Sequence, residues 1–330
     1  MHVGQRRPSL LERMSLGAIP LMAGLVLFVL VRHVRRWVVE RRAPMMLKLY
    51  ILYSAVEYVA KGGTPSSRGG RPVQCLRQSF IFELFRRYFD MKIVYEGSRG
   101  DLSADGRPVI VAAHPHGVVG IAVLGNLMAE NGFFPPTMDY RVLTVSLNFM
   151  VPYLRDLFLS LGFVEATPES IRYCLRHNTS VVNVVGGAEE ALDSRPGSLD
   201  LTLASRSGFI RMAMELGTSI VPMLSFGETD IYDQLITNPP GSSVRRFQEF
   251  LKNRFAYSLP LVQVFSPRPV SLTTVVGRPV PIPQIENPTP AQVDHYLQVY
   301  IAALTKLYNT FAPKYHAPPL RIVDAPPSKL

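Results

Sequence analysis

A short apolar run that ends in two histidines constrains this chain more than any other feature. Residues 109–113 (VIVAA) have the composition of a buried parallel strand, and Pro115 stops a strand because it lacks a backbone N–H. His114 and His116, followed by Gly117, should then lie in the loop at the carboxyl end of that strand. Open α/β sheets bind ligands at this end. The sequence therefore predicts a functional site here.

Three interpretations fit this pair of histidines. Histidine exchanges a proton near neutral pH, so His114 is a candidate general base, and Gly117 lets a backbone N–H approach a substrate closely. The histidines could instead cap backbone groups in a structural turn, or bind a metal ion. A structural zinc site usually has four ligands with cysteine prominent, and Cys75 and Cys174 stand far apart. Metal binding is therefore the least favoured interpretation.

Helical and strand-like segments alternate along most of the chain. The predicted strands are 91–95, 109–113, 140–145, 180–185, 219–225 and 273–276, and the predicted helices are 73–89, 118–130, 152–161, 168–177, 207–216 and 291–311. Such alternation indicates an α/β fold, with a mostly parallel sheet flanked by helices.

The N-terminal region carries the pattern of a membrane anchor. Residues 14–31 contain no charged side chain, and their length is near the short end of what spans a hydrocarbon core of ~30 Å. Arginines and Trp37 follow, as at a membrane interface rather than at a signal-peptide cleavage site. A second apolar segment, 44–60, carries Lys48 and Glu57. We predict a helical hairpin or re-entrant anchor, the alternative being helices buried in protein.

The composition divides the chain into three parts. Residues 1–60 would form the anchor, residues 61–72 (KGGTPSSRGGRP) have the composition of a linker, and residues 73–330 would form the main folded domain. With 47% hydrophobic residues the chain has enough apolar side chains for a sizeable core. Its two cysteines do not indicate a disulfide-stabilised secreted protein.

The positive charge is concentrated in the predicted anchor. A net charge of +10 would suit a nucleic-acid partner if it formed one basic face. Residues 1–48 hold nine of the 35 basic side chains but only two of the 25 acidic ones, so the rest of the chain is nearly balanced. Since these cations flank an apolar segment, the expected partners are membrane lipids and not nucleic acid.

A second strand end carries glycines and carboxylates. A predicted strand runs into Gly186 and Gly187, which precede Glu189 and Glu190. If both strand ends face one crevice, either glutamate could orient an imidazole or hold an acceptor, and the glycine N–H groups could bind an oxyanion. A strand-to-helix turn with solvated glutamates is the alternative from these residues alone.

Arginines mark the start of a later predicted helix. Arg206 precedes this helix, and Arg211 lies just inside it. Helix N-termini with nearby arginines suit phosphate groups, so the pair could hold a phosphorylated cofactor or substrate. The alternative is that both arginines are solvated on an amphipathic helix.

Several of these stretches form a set when they are taken together. The stretches are His114-Pro115-His116-Gly117, then 184–190 (VVGGAEE), then Arg206-Ser207-Gly208-Phe209 continuing through 217–222 (GTSIVP) to Ser225-Phe226-Gly227-Glu228, and then 273–277 (TTVVG) with Pro279. In order and spacing they resemble the type-2 diacylglycerol acyltransferase family, which includes monoacylglycerol and wax-alcohol acyltransferases. The resemblance covers residues 75–315, and several motifs in order are more specific than any one of them.

The resemblance implies acyl transfer from acyl-CoA to a lipid hydroxyl. Diacylglycerol is the first expected acceptor on family frequency, and monoacylglycerol or a long-chain alcohol is the alternative. An integral endoplasmic-reticulum protein is implied, with residues 73–330 as a cytosolic acyltransferase domain and lipid droplets as a further location. No cofactor is implied beyond acyl-CoA as co-substrate, and a homo-oligomer is compatible with it. A non-catalytic membrane lipid-binding protein is the alternative of another class.

The sequence departs from one pattern of the related glycerolipid acyltransferases. Those enzymes place an aspartate after the histidine and four intervening residues, whereas Val119 stands there in this chain. An orienting carboxylate must therefore come from elsewhere, and Glu190 is the candidate.

The resemblance and the residue chemistry together give each candidate a role. The expected roles are general base for His114, assistance for His116, N–H donation to the oxyanion for Gly117, Gly186 and Gly187, and contacts to the CoA phosphates for Arg206 and Arg211. A covalent acyl-enzyme is less favoured, because neither cysteine lies beside a base in the sequence.

Overall fold

The three-dimensional structure is a computed structural model. It describes residues 9, 13, 28–29, 32, 35, 45–128, 133–235, 238–239, 241–255, 260–262 and 267–324. The first predicted membrane segment, 14–31, lies outside these residues except for Phe28 and Val29. Over the described ranges, no helix is both long enough and apolar enough to cross a bilayer.

Helices and strands alternate along the described chain, as the sequence predicts. The helices are α1 (Met45–Lys61), α2 (Gln74–Arg77), α3 (Phe80–Tyr88), α4 (Ile121–Leu127), α5 (Leu154–Ser160), α6 (Pro168–Arg176), α7 (Gly187–Asp193), α8 (Gly208–Leu216), α9 (Ser243–Phe255) and α10 (Pro290–Tyr315). The strands are β1 (Lys92–Tyr95), β2 (Ile110–His114), β3 (Asp139–Thr144), β4 (Phe163–Glu165), β5 (Thr179–Val184), β6 (Leu199–Thr202), β7 (Ile220–Phe226), β8 (Thr273–Val276) and β9 (Leu320–Val323). Short 3-10 turns cover Arg99–Ser103, Ser146–Phe149 and Glu228–Asp230.

A seven-stranded sheet in the order β1-β8-β7-β2-β5-β3-β4 forms the centre of the fold. Strands β7, β2, β5, β3 and β4 run parallel to one another, whereas β8 is antiparallel to β7 and parallel to β1. A separate parallel pair joins β6 to β9. The predicted α/β fold with a mostly parallel sheet is confirmed. The central place of β2 puts the histidine motif between the carboxyl ends of β7 and β5.

Alternating residues of β2 supply two different layers of core. Ile110 and Ala112 pack with residues of α8 and α10, while Val111 and Ala113 pack with residues of α4 on the opposite face. This two-residue period assigns His114 to the face that carries α8 and α10. The direction of the first imidazole therefore follows from the register of a buried strand.

The structure changes some predicted boundaries. Strand β2 extends one residue further than predicted, so His114 is its last residue rather than part of the loop. The predicted helix 73–89 is two helices, because Ser79 takes an extended backbone conformation between them. The sequence analysis missed β4, β6, α9 and β9, and it gave α7 only as an alternative, in the strand-to-helix turn. Three of these are strands of three or four residues and one is a seven-residue helix, lengths at which periodicity carries little information.

Helix α1 turns Tyr50 and Glu57 toward the protein, while Lys48 and many apolar side chains are exposed. Glu57 accepts hydrogen bonds from Arg155 (2.8 Å) and pairs with Arg71 (3.0 Å), and the Tyr50 hydroxyl donates to Asp156 (2.6 Å). The exposed large apolar side chains are Met45, Met46, Leu49, Ile51, Leu52, Tyr53, Val56, Tyr58 and Val59. The carboxylate that interrupts this apolar segment is thus neutralised on the protein side of the helix.

The predicted linker, residues 61–72, begins with the last residue of α1 and continues from residue 62 mainly as turns. Ser66 and Ser67 are buried there, and the Ser66 hydroxyl donates to Glu165 at the end of β4. The boundary between an anchor and a catalytic domain stays a prediction.

Candidate active site

His114 lies at the carboxyl end of β2 and is 1% exposed. In the sheet it is paired with Leu224 of β7. Its Nε2 atom is 2.9 Å from the hydroxyl of Tyr300, which lies on α10. Its Nδ1 atom is buried and has no hydrogen-bond partner among the described residues. Burial lowers the pKa of His114 to about 3, so the imidazole is neutral at physiological pH.

The loop after β2 turns through a cis His114–Pro115 bond and brings His116 to a half-buried position. The Nδ1 atom of His116 lies 3.0 Å from the carbonyl oxygen of Gly117. Since a carbonyl only accepts, Nδ1 carries the proton and Nε2 keeps its lone pair. Burial lowers the pKa of His116 as well. The two imidazoles therefore both present a neutral, proton-accepting form.

Glu190, on α7, holds the backbone of this loop in place. One carboxylate oxygen accepts from the backbone N–H of His116 at 2.7 Å, and the other accepts from the backbone N–H of Thr202 at 2.7 Å. Glu190 is 4% exposed, and burial raises its pKa to about 7 while these two bonds act in the opposite direction. Its observed bonds go to backbone N–H groups, so the structure ties it to the histidine motif without a bond to either ring.

Two glycines before Glu190 have different structural reasons to be glycine. A Cβ atom added at Gly186 would lie 1.8 Å from Cδ of Glu190, so only glycine leaves room for the carboxylate. Gly187 has φ +58° but open space around an added Cβ. The predicted turn therefore serves to seat a buried carboxylate and does not leave Glu190 solvated.

Glu228 is a functional candidate that the sequence reasoning did not single out. It follows β7 and is 2% exposed, and its two oxygens accept from the backbone N–H groups of Ile121 (2.8 Å) and Ala122 (2.7 Å) at the start of α4. Burial raises its pKa to about 7. Gly117 has φ +58°, and an added Cβ there would lie 2.7 Å from Cγ and Oε1 of Glu228. The final motif 225–228 contained the residue, but only as part of a resemblance.

Glu189 points away from the histidine motif, although it is adjacent to Glu190 in sequence. It accepts from Lys252 of α9 at 2.7 and 2.9 Å and lies 3.8 Å from Arg245. Of the two predicted glutamates, the structure therefore brings only Glu190 to the site. Across the described ranges, no three metal-ligating side chains come together.

The two predicted phosphate-binding arginines lie in different surroundings. Arg206 is half-buried, and its Nε has no hydrogen-bond partner within the described part of the chain. Its positive charge partly opposes the rise in the pKa of Glu190 that burial causes. Arg211 is exposed on α8 and donates to the carbonyl of Pro288 at 3.3 Å. The structure thus brings Arg206 to the candidate site and leaves Arg211 on the outer surface.

A cavity of about 970 Å³ opens at the same edge of the sheet. Its lining includes Ser225 and Phe226 at the end of β7, and Lys314 and Tyr315 at the end of α10. His114 lines neither this cavity nor a smaller one of about 180 Å³ beside α1. The larger space therefore lies at the end of β7, the strand that pairs with β2, while the imidazole itself is covered.

The separate sequence motifs meet around the end of β2. Phe209 packs edge-on against Tyr300, with ring centroids 5.2 Å apart, and Thr274 is bonded to Ser225 and Asn126 at 2.8 and 2.7 Å. The fold and the site define the class of protein, an α/β enzyme. Its two neutral histidines lie at the carboxyl edge of the sheet, and buried carboxylates accept hydrogen bonds from backbone N–H groups of the surrounding segments. Both imidazoles are thus held in the neutral form, which can accept a proton, at the edge of the sheet where α/β proteins bind ligands.

Comparison with known proteins identifies the family. The sequence matches the family model described as Diacylglycerol acyltransferase over residues 42–323. It is 36% identical over 260 residues to diacylglycerol O-acyltransferase 2 of Dictyostelium discoideum (74% of this chain, 77% of that protein). It is 36% identical over 264 residues to acyl-CoA wax alcohol acyltransferase 2 of Mus musculus (75% and 78%) and 33% identical over 286 residues to 2-acylglycerol O-acyltransferase 1 of Mus musculus (82% and 83%). The chain belongs to the diacylglycerol acyltransferase family and is an acyltransferase.

Proposed function

We propose that this protein transfers the acyl group of acyl-CoA to the free hydroxyl of diacylglycerol, forming triacylglycerol. The Dictyostelium relative named for diacylglycerol supports this acceptor. The two mouse relatives named for a wax alcohol and for 2-acylglycerol support a long-chain alcohol or a monoacylglycerol as the alternative acceptor. Two motifs converge on one site here: the histidine motif and the glycine-glutamate motif are joined by the 2.7 Å bond from His116 to Glu190. This juxtaposition is the observation that carries the proposal.

In the proposed reaction the acceptor hydroxyl attacks the thioester directly. Its oxygen bonds to the thioester carbonyl carbon while its proton moves to His114, and the carbonyl oxygen becomes an oxyanion. The C–S bond then breaks, and the imidazolium returns the proton to the sulfur of CoA. A pKa of about 3 makes His114 a weak base. Proton transfer is therefore coupled to attack, because the hydroxyl proton becomes far more acidic as its oxygen bonds to carbon.

The remaining site residues would bind the two substrates. Backbone N–H groups of Gly117, Gly186 and Gly187 are the proposed donors to the oxyanion. Arg206 is the proposed contact to a CoA phosphate, because it is half-buried beside Glu190 and one of its buried N–H groups has no described partner. Arg211 is proposed as an outer contact of the same phosphate group, consistent with its exposure.

Substrate access requires a motion of the site. His114 is 1% exposed, whereas the lining of the cavity of about 970 Å³ includes Ser225, the residue after its strand partner Leu224. The cavity combines aromatic rings with Lys314 and is large enough for part of an acyl-CoA or lipid. We propose that substrate enters there and that binding uncovers the imidazole.

His116 is a second candidate for the base. It is half-buried rather than covered, and donation from its Nδ1 to the Gly117 carbonyl leaves Nε2 free to accept a proton. In that case His114 would have a structural role and would support the loop that carries His116. Single substitutions of the two histidines separate the alternatives.

We further propose attachment to the endoplasmic-reticulum membrane through the N-terminal region, with the acyltransferase domain in the cytosol and lipid droplets as a second location. The outward apolar side chains of α1 support contact with lipid, because exposed clusters of this kind mark membrane or protein interaction surfaces.

The test is acyl transfer by microsomes that contain the full-length protein. Labelled acyl-CoA is offered with diacylglycerol, monoacylglycerol or a long-chain alcohol. We expect triacylglycerol as the main product, and His114→Ala should lower its formation at least ~100-fold, the scale of a general base, with the protein still folded. A larger loss in His116→Ala than in His114→Ala would transfer the role to His116. Absence of product with every acceptor would favour the non-catalytic lipid-binding alternative.

A further inference from the structure

The imidazole of His114 has a single described hydrogen-bond partner, and it comes from the far end of the chain. The hydroxyl of Tyr300 lies 2.9 Å from Nε2 and 3.4 Å from the carbonyl oxygen of Ala112. Tyr300 is fully buried in the middle of α10. Its ring is held edge-on against Phe209, with the ring planes at 81°. Packing on the ring therefore holds the Tyr300 hydroxyl against the imidazole of His114.

Two arrangements of protons fit these distances. If the Tyr300 hydroxyl donates to Nε2, the proton of the neutral imidazole lies on Nδ1, where it is a buried donor without a described partner. If Nε2–H donates to the hydroxyl oxygen and the hydroxyl donates to the carbonyl of Ala112, every N–H and O–H of the pair has an acceptor. Only a lone pair on Nδ1 is then unused. Buried N–H groups without an acceptor are rarer and cost about 1–3 kcal/mol, which favours the second arrangement.

We propose that Tyr300 is a positioning residue that fixes the tautomer of His114, accepting the Nε2–H and leaving Nδ1 as the atom that takes the proton from the acceptor hydroxyl. This inference rests on the function proposed above. Burial raises the pKa of Tyr300 above its ordinary value, so the phenol stays protonated. In turnover the proton comes onto Nδ1 and leaves from Nδ1, while Nε2–H and the phenol keep theirs.

The direct test is Tyr300→Phe, which removes one oxygen and keeps the ring against Phe209. Without the hydroxyl, Nε2–H loses its acceptor, and the tautomer with the proton on Nδ1 is no longer disfavoured. We expect kcat to fall about 10- to 100-fold, by analogy with the range found for groups that orient metal-binding histidines, with KM for acyl-CoA nearly unchanged. The matched control is Tyr308→Phe, on the same helix, which removes a hydroxyl that donates to the carbonyl of Pro318 at 2.8 Å. That variant should keep the wild-type kcat.

Two further measurements separate positioning from a merely structural role. In a double variant His114→Ala, Tyr300→Phe, a residue that acts only through His114 should add no loss beyond that of His114→Ala. Nitrogen-15 spectra of labelled histidine in the detergent-solubilised full-length protein should show a protonated Nε2 in the wild type, and a shift toward protonated Nδ1 in Tyr300→Phe.

The outcomes are distinguishable from failure of the proposed function. Wild-type kcat in Tyr300→Phe, a full additional loss in the double variant, or a wild-type spectrum with protonated Nδ1 would each overturn the role of Tyr300, even if His114→Ala is inactive. Near-normal turnover in His114→Ala would remove the proposed base itself. If the activity of His114→Ala is too low for the double-variant comparison, the spectra decide.

Discussion

Two buried glutamates on either side of the histidine motif use the same chemistry for different tasks. Glu190 and Glu228 each accept two backbone N–H bonds at 2.7 to 2.8 Å, and burial raises the pKa of each to about 7. Glu190 joins the loop at His116 to the end of β6 at Thr202, two segments distant in sequence. Glu228 instead holds two consecutive N–H groups at the start of α4. The carboxylate of Glu190 therefore connects two segments of the chain, whereas that of Glu228 caps the N-terminus of a helix.

Each carboxylate is paired with a glycine that makes room for it. Gly117 lies against Glu228, and Gly186 lies against Glu190. The glycines of the two motifs are therefore explained partly by packing against carboxylates rather than only by approach to a substrate. Substitutions at these four positions test the comparison directly.

Gly117→Ala should have the largest effect. Its φ of +58° costs a side chain about 1–2 kcal/mol, and the new Cβ would lie 2.7 Å from Glu228. Displacing Glu228 leaves two N–H groups of α4 unpaired, at about 1–3 kcal/mol each. Denaturant unfolding should show this loss together with a loss of acyl transfer. Gly187→Ala is the stability control, since Gly187 has the same φ but open space around an added Cβ. This variant should lose only the stability that the unfavourable backbone conformation of alanine costs. Equal losses in the two variants would contradict the packing explanation.

Gly186→Ala should have the next largest effect on stability and activity. Its φ of −63° accommodates alanine, so the whole effect comes from the Cβ placed 1.8 Å from Cδ of Glu190. We expect Glu190 to move, leaving the N–H groups of His116 and Thr202 unpaired at about 1–3 kcal/mol each, and activity to fall with stability. Unfolding curves and initial rates measure the two losses. A variant as stable and active as the wild type would show that Glu190 can be seated elsewhere.

Glu190→Gln and Glu228→Gln should have smaller effects that separate the two tasks. An amide offers one acceptor where the carboxylate offered two, so each variant leaves one buried N–H unpaired, at about 1–3 kcal/mol of stability. Glu190→Gln should also lower kcat, because His116 lies in the motif, whereas Glu228→Gln should affect stability more than kcat. Glu189→Gln breaks the pair with Lys252 and controls for loss of a buried charge in the same helix. If Glu228→Gln lowered kcat more than Glu190→Gln does, the tasks assigned to the two glutamates would have to be exchanged.

The last comparison concerns the pH dependence of stability. A carboxyl whose pKa is raised from 4.5 to about 7 stabilises the folded protein most fully below pH 4.5, and this contribution is lost as the pH rises through 7. His114, with its pKa lowered from 6.5 to about 3, acts oppositely, since its contribution is present above pH 6.5 and lost as the pH falls toward 3. Glu190→Gln should therefore flatten the loss of stability between pH 4.5 and 7. Urea unfolding at several pH values measures this, and an unchanged slope would mean that Glu190 is ionised throughout.

Six of the seven strands of the central sheet were predictable to within one residue, because apolar runs bounded by polar residues mark them, whereas the three-residue strand β4 was missed. Sequence reasoning allowed either Glu189 or Glu190 at the second strand end, and named Glu190 as the candidate only after the family resemblance had been drawn. In the structure Lys252 of helix α9 pairs with Glu189, whereas Glu190 faces the loop of the histidine motif. Sequence analysis did not detect that helix. Tyr300 was missed for a different reason, since a tyrosine within an amphipathic helix looks like any core residue.

The sequence by itself determined the α/β fold, the place of the histidine motif at a strand end, and the family, because these depend on local apolar periodicity and on the order of motifs along the chain. The tertiary structure alone decided which groups meet there. Glu190 and Glu228 accept from distant backbone N–H groups, and Tyr300 reaches His114 across 186 residues of sequence. Such contacts form only when the sheet brings separate strand ends together, since a hydrogen bond depends on distance in space and not on separation along the chain.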